Sequence, residues 1–231
     1  MIFEIDNIEL YFKEKRILNG IYLKAETGNV TGILRSNGCG KTSLLKILFG
    51  DLKPKYKLIR IDSKPILKPF YQTKLISYLP QHNFIPNNLK IKKAFSLFNV
   101  NWNDFITLFK PFEIYEYLNF KKLSGGERRL IEAYLIIKNN SKIALLDEPF
   151  SHLAPLHIDA IKSLIEEEKH NKAIIITDHM YRHIIDSSDI IYLLKNGCSK
   201  LIDDIKELED YKYLNVGTLK GSYTNSKLKQ I

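Results

Sequence analysis

A chain of 231 residues with a hydrophobic fraction of 45% can bury a substantial core and fits one domain, with room for an inserted subdomain. A net charge of +9 admits nucleic acid or an anionic membrane face as partner, yet Lys53, Lys55, Lys57, Lys90, Lys92, Lys93, Lys121 and Lys122 are scattered, without an arginine–aromatic stripe, and read more simply as a solvated basic surface. No apolar stretch approaches the roughly 18 residues that span a bilayer; the two cysteines, Cys39 and Cys198, give neither metal spacing nor a disulfide framework and point to a reducing cytosol.

The N-terminus has acidic residues early and no basic region ahead of an apolar run, so it reads as a first strand and not as a signal peptide. In it Ile2, Glu4, Asp6 and Ile8 alternate with Phe3, Ile5 and Asn7. A second extended run from Ile17 to Ala25 follows the charged turn Lys13-Glu14-Lys15-Arg16. Residues 30 to 34 predict a short apolar strand feeding a glycine loop, and residues 42 to 49 a helix stopped by Gly50. Residues 76 to 81 predict another strand. From His82 to Lys122 the pattern turns helical, with Phe95, Phe98, Trp102, Phe105, Phe109, Phe112, Tyr115, Tyr117 and Phe120 at many of the turns. Apolar strands resume at 143–146, 173–176 and 190–194. This alternation predicts an α/β fold with a mostly parallel sheet covered by helices. Beyond about Leu201 a charged helical stretch, 203–210, precedes an end rich in Gly, Ser, Thr, Asn and Lys that reads as loose.

Three segments carry chemistry. In Ser36-Asn37-Gly38-Cys39-Gly40-Lys41-Thr42, glycines let backbone N–H groups converge on phosphate; Lys41 adds charge, and the Thr42 hydroxyl can ligate Mg²⁺. The apolar run Ile143-Ala144-Leu145-Leu146 ends in Asp147 and Glu148, a carboxylate for a hard cation and one to polarise an attacking water. Between them, Leu123-Ser124-Gly125-Gly126-Glu127 runs into a helix whose N-terminus can receive phosphate.

In this order the three segments resemble the ATP-binding-cassette (ABC) ATPases over residues 1–205. The resemblance implies a P-loop NTPase fold: a RecA-like core with a mostly parallel sheet (1–81 and 124–205), an N-terminal antiparallel β subdomain and a short inserted helical subdomain (82–123), with 206–231 as a C-terminal tail. It implies ATP and Mg²⁺ as ligands. Asn37, Gly38, Cys39, Gly40, Lys41, Thr42 and Ser43 would hold the phosphates, and Thr42, Gln81 and Asp147 the metal. Glu148, His179 and Gln81 would serve hydrolysis, and Phe12 would stack on adenine, with its neighbour Tyr11 as the alternative. Ser124, Gly125 and Gly126 would complete the site of a second cassette in a head-to-tail dimer.

Two positions depart from the family pattern. Arg35 stands where the phosphate loop has glycine, and Ala154 where the loop after the catalytic carboxylate has aspartate. A slow or asymmetric ATPase follows as an expectation. The implied partners are integral membrane permease subunits and a second ATPase subunit, identical or different, at the cytoplasmic face of the plasma membrane, with nucleic acid unlikely. The short strings LSGGERR, DEPF and TDHMYR look most like the lipopolysaccharide-export and branched-chain amino-acid transport ATPases. The alternative is a soluble regulatory or ribosome- or nucleic-acid-associated ATPase with weak hydrolysis.

Overall fold

The structure is a computed structural model that describes residues 1–35 and 40–219. It opens with a long antiparallel hairpin, β1 (Ile2–Phe12) and β2 (Lys15–Glu26). β3 (Val30–Arg35) leads to α1 (Lys41–Phe49), which Gly50 ends in a left-handed conformation at φ 100. β4 (Tyr56–Ile61) and the two-residue β5 (Lys64–Pro65) join β1 in a four-stranded antiparallel sheet, order β2-β1-β4-β5. Sequence reading missed both, because the lysines at 53, 55 and 57 mask β4, whose only buried residue is Ile59, and β5 is two exposed residues.

The register of β1 corrects the simple alternation. Phe3 and Ile5 are buried, but Asn7 takes φ 49 in a bulge, and beyond it the buried residues are Ile8 and Leu10. One inserted residue moves Ile8 from the outward face to the core.

The second sheet has six strands in the order β10-β9-β3-β8-β7-β6, from β6 (Ile76–Leu79), β7 (Ile143–Asp147), β8 (Ala173–Thr177), β9 (Ile190–Lys195) and β10 (Cys198–Ile202). All neighbours pair in parallel except β9 and β10. β7 and β8 are buried along their whole length, which accounts for their unbroken apolar sequences. Along β7, Ala144 and Leu146 face one core while Ile143 and Leu145 face the other. The second core also holds α1 and the antiparallel sheet. The first holds α4 (Gly125–Lys138), α5 (Pro155–Glu168) and α6 (Tyr181–Ser187).

Between β6 and α4 the chain is less helical than its sequence pattern predicts. It contains α2 (Ile91–Phe98), α3 (Trp102–Leu108) and 3-10 turns at Lys110–Tyr115 and Phe120–Lys122. Its aromatics form a core around Phe105, whose ring centroid lies 5.1 Å from that of Phe95, 5.5 Å from Trp102, 5.0 Å from Phe109 and 4.9 Å from Tyr134 of α4. Past β10, α7 (Glu207–Asp210) buries Leu208 in the first core, and Tyr211, Tyr213, Leu214 and Leu219 pack against it. The reading of a loose end falls on residues 220–231, outside the described residues.

Candidate functional site

Parallel register sets the site. Leu79 pairs with Leu146, Asp147 with Thr177, and Ile33 with Thr177, so β3, β6, β7 and β8 finish side by side. Residues just beyond four carboxyl ends therefore share one edge, where open α/β sheets bind ligands. Gln81, Glu148 and His179 come together there. The Gln81 amide donates to Glu148 Oε2 at 3.1 Å, Ser151 Oγ donates to the same oxygen at 3.2 Å, and His179 Nδ1 lies 3.7 Å from it. The His179 side chain is 53% exposed and that of Glu148 17%, so the imidazole is the more open of the two.

Asp147 is more deeply set, at 1% exposure. Thr177 Oγ1 donates to its Oδ1 at 2.7 Å and the Tyr78 hydroxyl to its Oδ2 at 3.4 Å. Burial, reinforced by the Asp147 carboxylate, raises the Tyr78 phenol well above its ordinary range, so it stays a hydrogen-bond donor. Asp178, buried beside His179, has its carboxyl raised by burial while the Met180 N–H and His179 pull it down.

Gly40 precedes α1 at φ 88, a left-handed turn that suits glycine. Lys41 Nζ donates to the Asp178 carbonyl at 2.8 Å, which links the start of α1 to the segment carrying His179. Thr42 and Ser43 follow in the first turn of α1, partly exposed. Asn37, Gly38 and Cys39 lie outside the described residues. Arg35 closes β3 paired with Leu194.

Phe12 ends β1 half-exposed. Its alternative, Tyr11, has the Lys55 ammonium 5.0 Å and the Arg16 guanidinium 5.5 Å from its ring centroid. Of the two, Phe12 presents the freer face.

Ser124 caps α4: its Oγ accepts from the Glu127 N–H at 3.3 Å, while its own N–H donates to Glu127 Oε2 at 2.7 Å. The Tyr115 hydroxyl donates to the other oxygen of Glu127 at 2.7 Å. The two glycines differ. A Cβ on Gly126 would meet the His152 carbonyl at 2.6 Å, whereas nothing lies within 4 Å of one on Gly125. Packing therefore explains Gly126 and leaves Gly125 to another cause. Ala154 is the N-cap of α5 and makes no side-chain capping bond.

Sequence reading missed Arg128, Arg129 and Glu132, all buried in α4. Arg128 Nε donates to Glu132 Oε1 at 3.0 Å, and the Phe84 and Ile85 N–H groups donate to the same oxygen at 3.3 Å. Arg128 also donates to the Asn87 side chain at 2.5 Å and to the Ile85 carbonyl. Burial raises the Glu132 carboxyl, opposed by Arg128. The signal was present: charges inside a helix apolar on every face must be buried and partnered.

A groove of about 720 Å³ opens on the far side of β6. Phe49, Tyr78, Pro80, Phe84, Leu97 and Phe98 are among the residues that line it.

The model of the family described as ABC transporter matches residues 18–151, more than half of the chain. The chain belongs to the ABC transporter family. An uncharacterized ABC transporter ATP-binding protein of Methanocaldococcus jannaschii is 26% identical over 231 aligned residues, covering 94% of this cassette and 84% of that protein. The lipopolysaccharide export system ATP-binding protein LptB of Haemophilus influenzae is 27% identical over 217, covering 87% and 89%. A solved ATP-binding subunit of an ABC transporter shares the fold at a TM-score of 0.78, with 19% identity over 91% of this cassette and 94% of that chain. The P-loop NTPase fold is therefore that of ABC ATPases, and the cassette is an ATP-binding, ATP-hydrolysing subunit of an ABC transporter. Among the described residues no helix is long and apolar enough to cross a membrane.

Proposed function

We propose that the cassette works as a head-to-tail dimer enclosing two ATP molecules, each held by the Gly40–Ser43 end of α1 in one chain and by Ser124, Gly125 and Gly126 of the other. The observation that carries this reading is the convergence of Gln81 and His179 on Glu148 Oε2 at one sheet edge. Glu148 takes a proton from the attacking water, and Gln81 and Ser151 orient its carboxylate. His179, more exposed than Glu148, reaches the γ-phosphate. Lys41 exchanges the Asp178 carbonyl for phosphate oxygens, and Phe12 stacks on adenine. Catalysis by such a constellation is positioning and charge neutralisation.

The oxygens of Thr42, Gln81 and Asp147 suit a hard cation, and Asp147 spends a single bond on each oxygen, to Thr177 and Tyr78. A Mg²⁺ held by these oxygens would share its coordination with phosphate. When bound, Mg²⁺ would neutralise charge on the transferring phosphoryl group.

The apolar groove between β6 and α2 is the natural seat for a membrane permease subunit, at the cytoplasmic face of the membrane. It adjoins Gln81 through Pro80 and His82, so partner and active site share one segment. Within this reading residues 82–123 act as a helical subdomain that moves against the core. Likeness to LptB over most of both chains supports an export-type partner. The uncapped Ala154 favours a slow enzyme as the variant of this reading.

Mg²⁺-dependent hydrolysis by the purified chain and by Glu148→Gln tests it. Removing a general base lowers turnover by about 10²–10⁴-fold, and the variant should elute as a dimer in ATP. A variant that hydrolyses as fast as the wild type would overturn the role of Glu148.

A further inference from the structure

Arg129 lies one turn inside α4 and is 3% exposed. Its Nη1 donates to the Pro80 carbonyl at 2.6 Å, and its Nη2 to the carbonyls of Asp147 at 2.5 Å and Glu148 at 2.9 Å. The β6–β7 ladder runs only to Leu79 and Leu146, so the guanidinium takes over where backbone pairing stops. Its acceptors are the residue before Gln81 and the peptides of both carboxylates. A planar fork of donors can hold such divergent acceptors together, while an ammonium is a point donor.

Glu148 needs that hold. Its backbone sits at φ 54, strained for a residue with a Cβ. The conformation is fixed from both sides: the Glu148 N–H donates to the Thr177 carbonyl at 2.8 Å, and its carbonyl accepts from Arg129. The same helix begins at Ser124, and the capping box and Tyr115 stiffen its first turn. A shift at Ser124 therefore carries the guanidinium with it. Ala154 offers no carboxylate at the start of α5, which leaves Arg129 as a charged contact between α4 and the catalytic strand.

We propose that Arg129 is a positioning residue that relays engagement of the Ser124–Gly125–Gly126 turn by a second cassette's nucleotide to the Glu148 carboxylate of its own chain. The inference rests on the dimer reading above. Arg129 sets the aim of Glu148 and of Gln81 together and touches no nucleotide itself.

The test compares the full chain with Arg129→Lys and Arg129→Met in ATP hydrolysis, and reads hydrogen exchange at peptides covering 80–82 and 147–149. The expected result is a KM for ATP within about two-fold of wild type, a kcat lower by about 10–100-fold, and faster exchange at both peptides. In a Glu148→Gln background, Arg129→Lys should still form the ATP-driven dimer. Unchanged kcat and exchange would overturn the proposal, as would affinity, turnover and melting temperature falling together in both variants. A wild-type chain that neither binds ATP nor dimerises would instead remove the cassette-dimer reading, and this inference with it. For a chain that dimerises but turns over too slowly to measure, exchange decides. Protection at 147–149 on ATP-driven dimerisation, lost in Arg129→Lys, upholds the relay; equal protection in both overturns it.

Discussion

Gly125 and Gly126 are adjacent and chemically identical, yet their surroundings assign them different work. Gly126 is required by the His152 carbonyl, which a Cβ would meet at 2.6 Å. Gly125 faces open space, and alanine in the first turn of a helix is favoured over glycine by up to about 1 kcal/mol. Gly125→Ala is therefore expected to leave the melting temperature unchanged or slightly raised while weakening ATP-driven dimerisation of Glu148→Gln, because the added methyl occupies the approach to phosphate. Unaltered dimerisation by size-exclusion chromatography would remove Gly125 from the composite site. Residue-scale chemistry also separates Tyr11 from Phe12: the neighbouring cations Lys55 and Arg16 engage the Tyr11 ring and leave Phe12 freer.

Among the elements, α5 and the aromatic-rich segment give the clearest expectations. Ala154 starts α5 with φ −67 and ψ 151, geometry that suits a capping side chain it does not carry. Ala154→Asp should stabilise the protein by about 0.5–2 kcal/mol, read from the denaturant midpoint at unchanged slope. If Ala154 also slows the enzyme, turnover rises with it; a variant no more stable than wild type would show that water already satisfies the start of α5. Phe105 is fully buried where α2, α3 and α4 meet. Phe105→Ala should cost about 3–5 kcal/mol, and a cost under about 1 kcal/mol would mean that the aromatic cluster repacks around the gap. The aromatics of residues 95–120 fall mostly to the core, with Phe98 lining the groove and Tyr117 exposed.

At the scale of the whole molecule, the reading proposed above makes the groove beside β6 and α2 the seat of a membrane partner whose motion reaches Gln81 through Pro80 and His82. Leu97 lines it and is 58% exposed, so a charge there disturbs little of the fold. Leu97→Glu is expected to keep ATP binding and ATP-driven dimerisation while releasing the protein from the membrane fraction. Retention of the variant with a permease would move the docking site elsewhere.

The strands β1 to β3 and β6 to β9, the carboxylates at the end of β7 and the helix start at Ser124 were legible in the sequence because each is a local pattern. Apolar runs mark strands buried on both faces, and Gly and Ser next to Lys or Glu mark helix starts that meet charge. β4, β5 and β10 were not legible, since each buries at most one residue and carries little apolar signal; nor was the bulge at Asn7 that moves Ile8 inward. The side-by-side endings of β3, β6, β7 and β8 were decided by tertiary structure alone, because parallel register joins residues far apart in the chain. The same holds for Arg129: its helix gives a cation in an apolar setting, but the carbonyls that accept its hydrogen bonds come from the ends of β6 and β7. Local chemistry names the groups that can act; only packing fixes which of them meet.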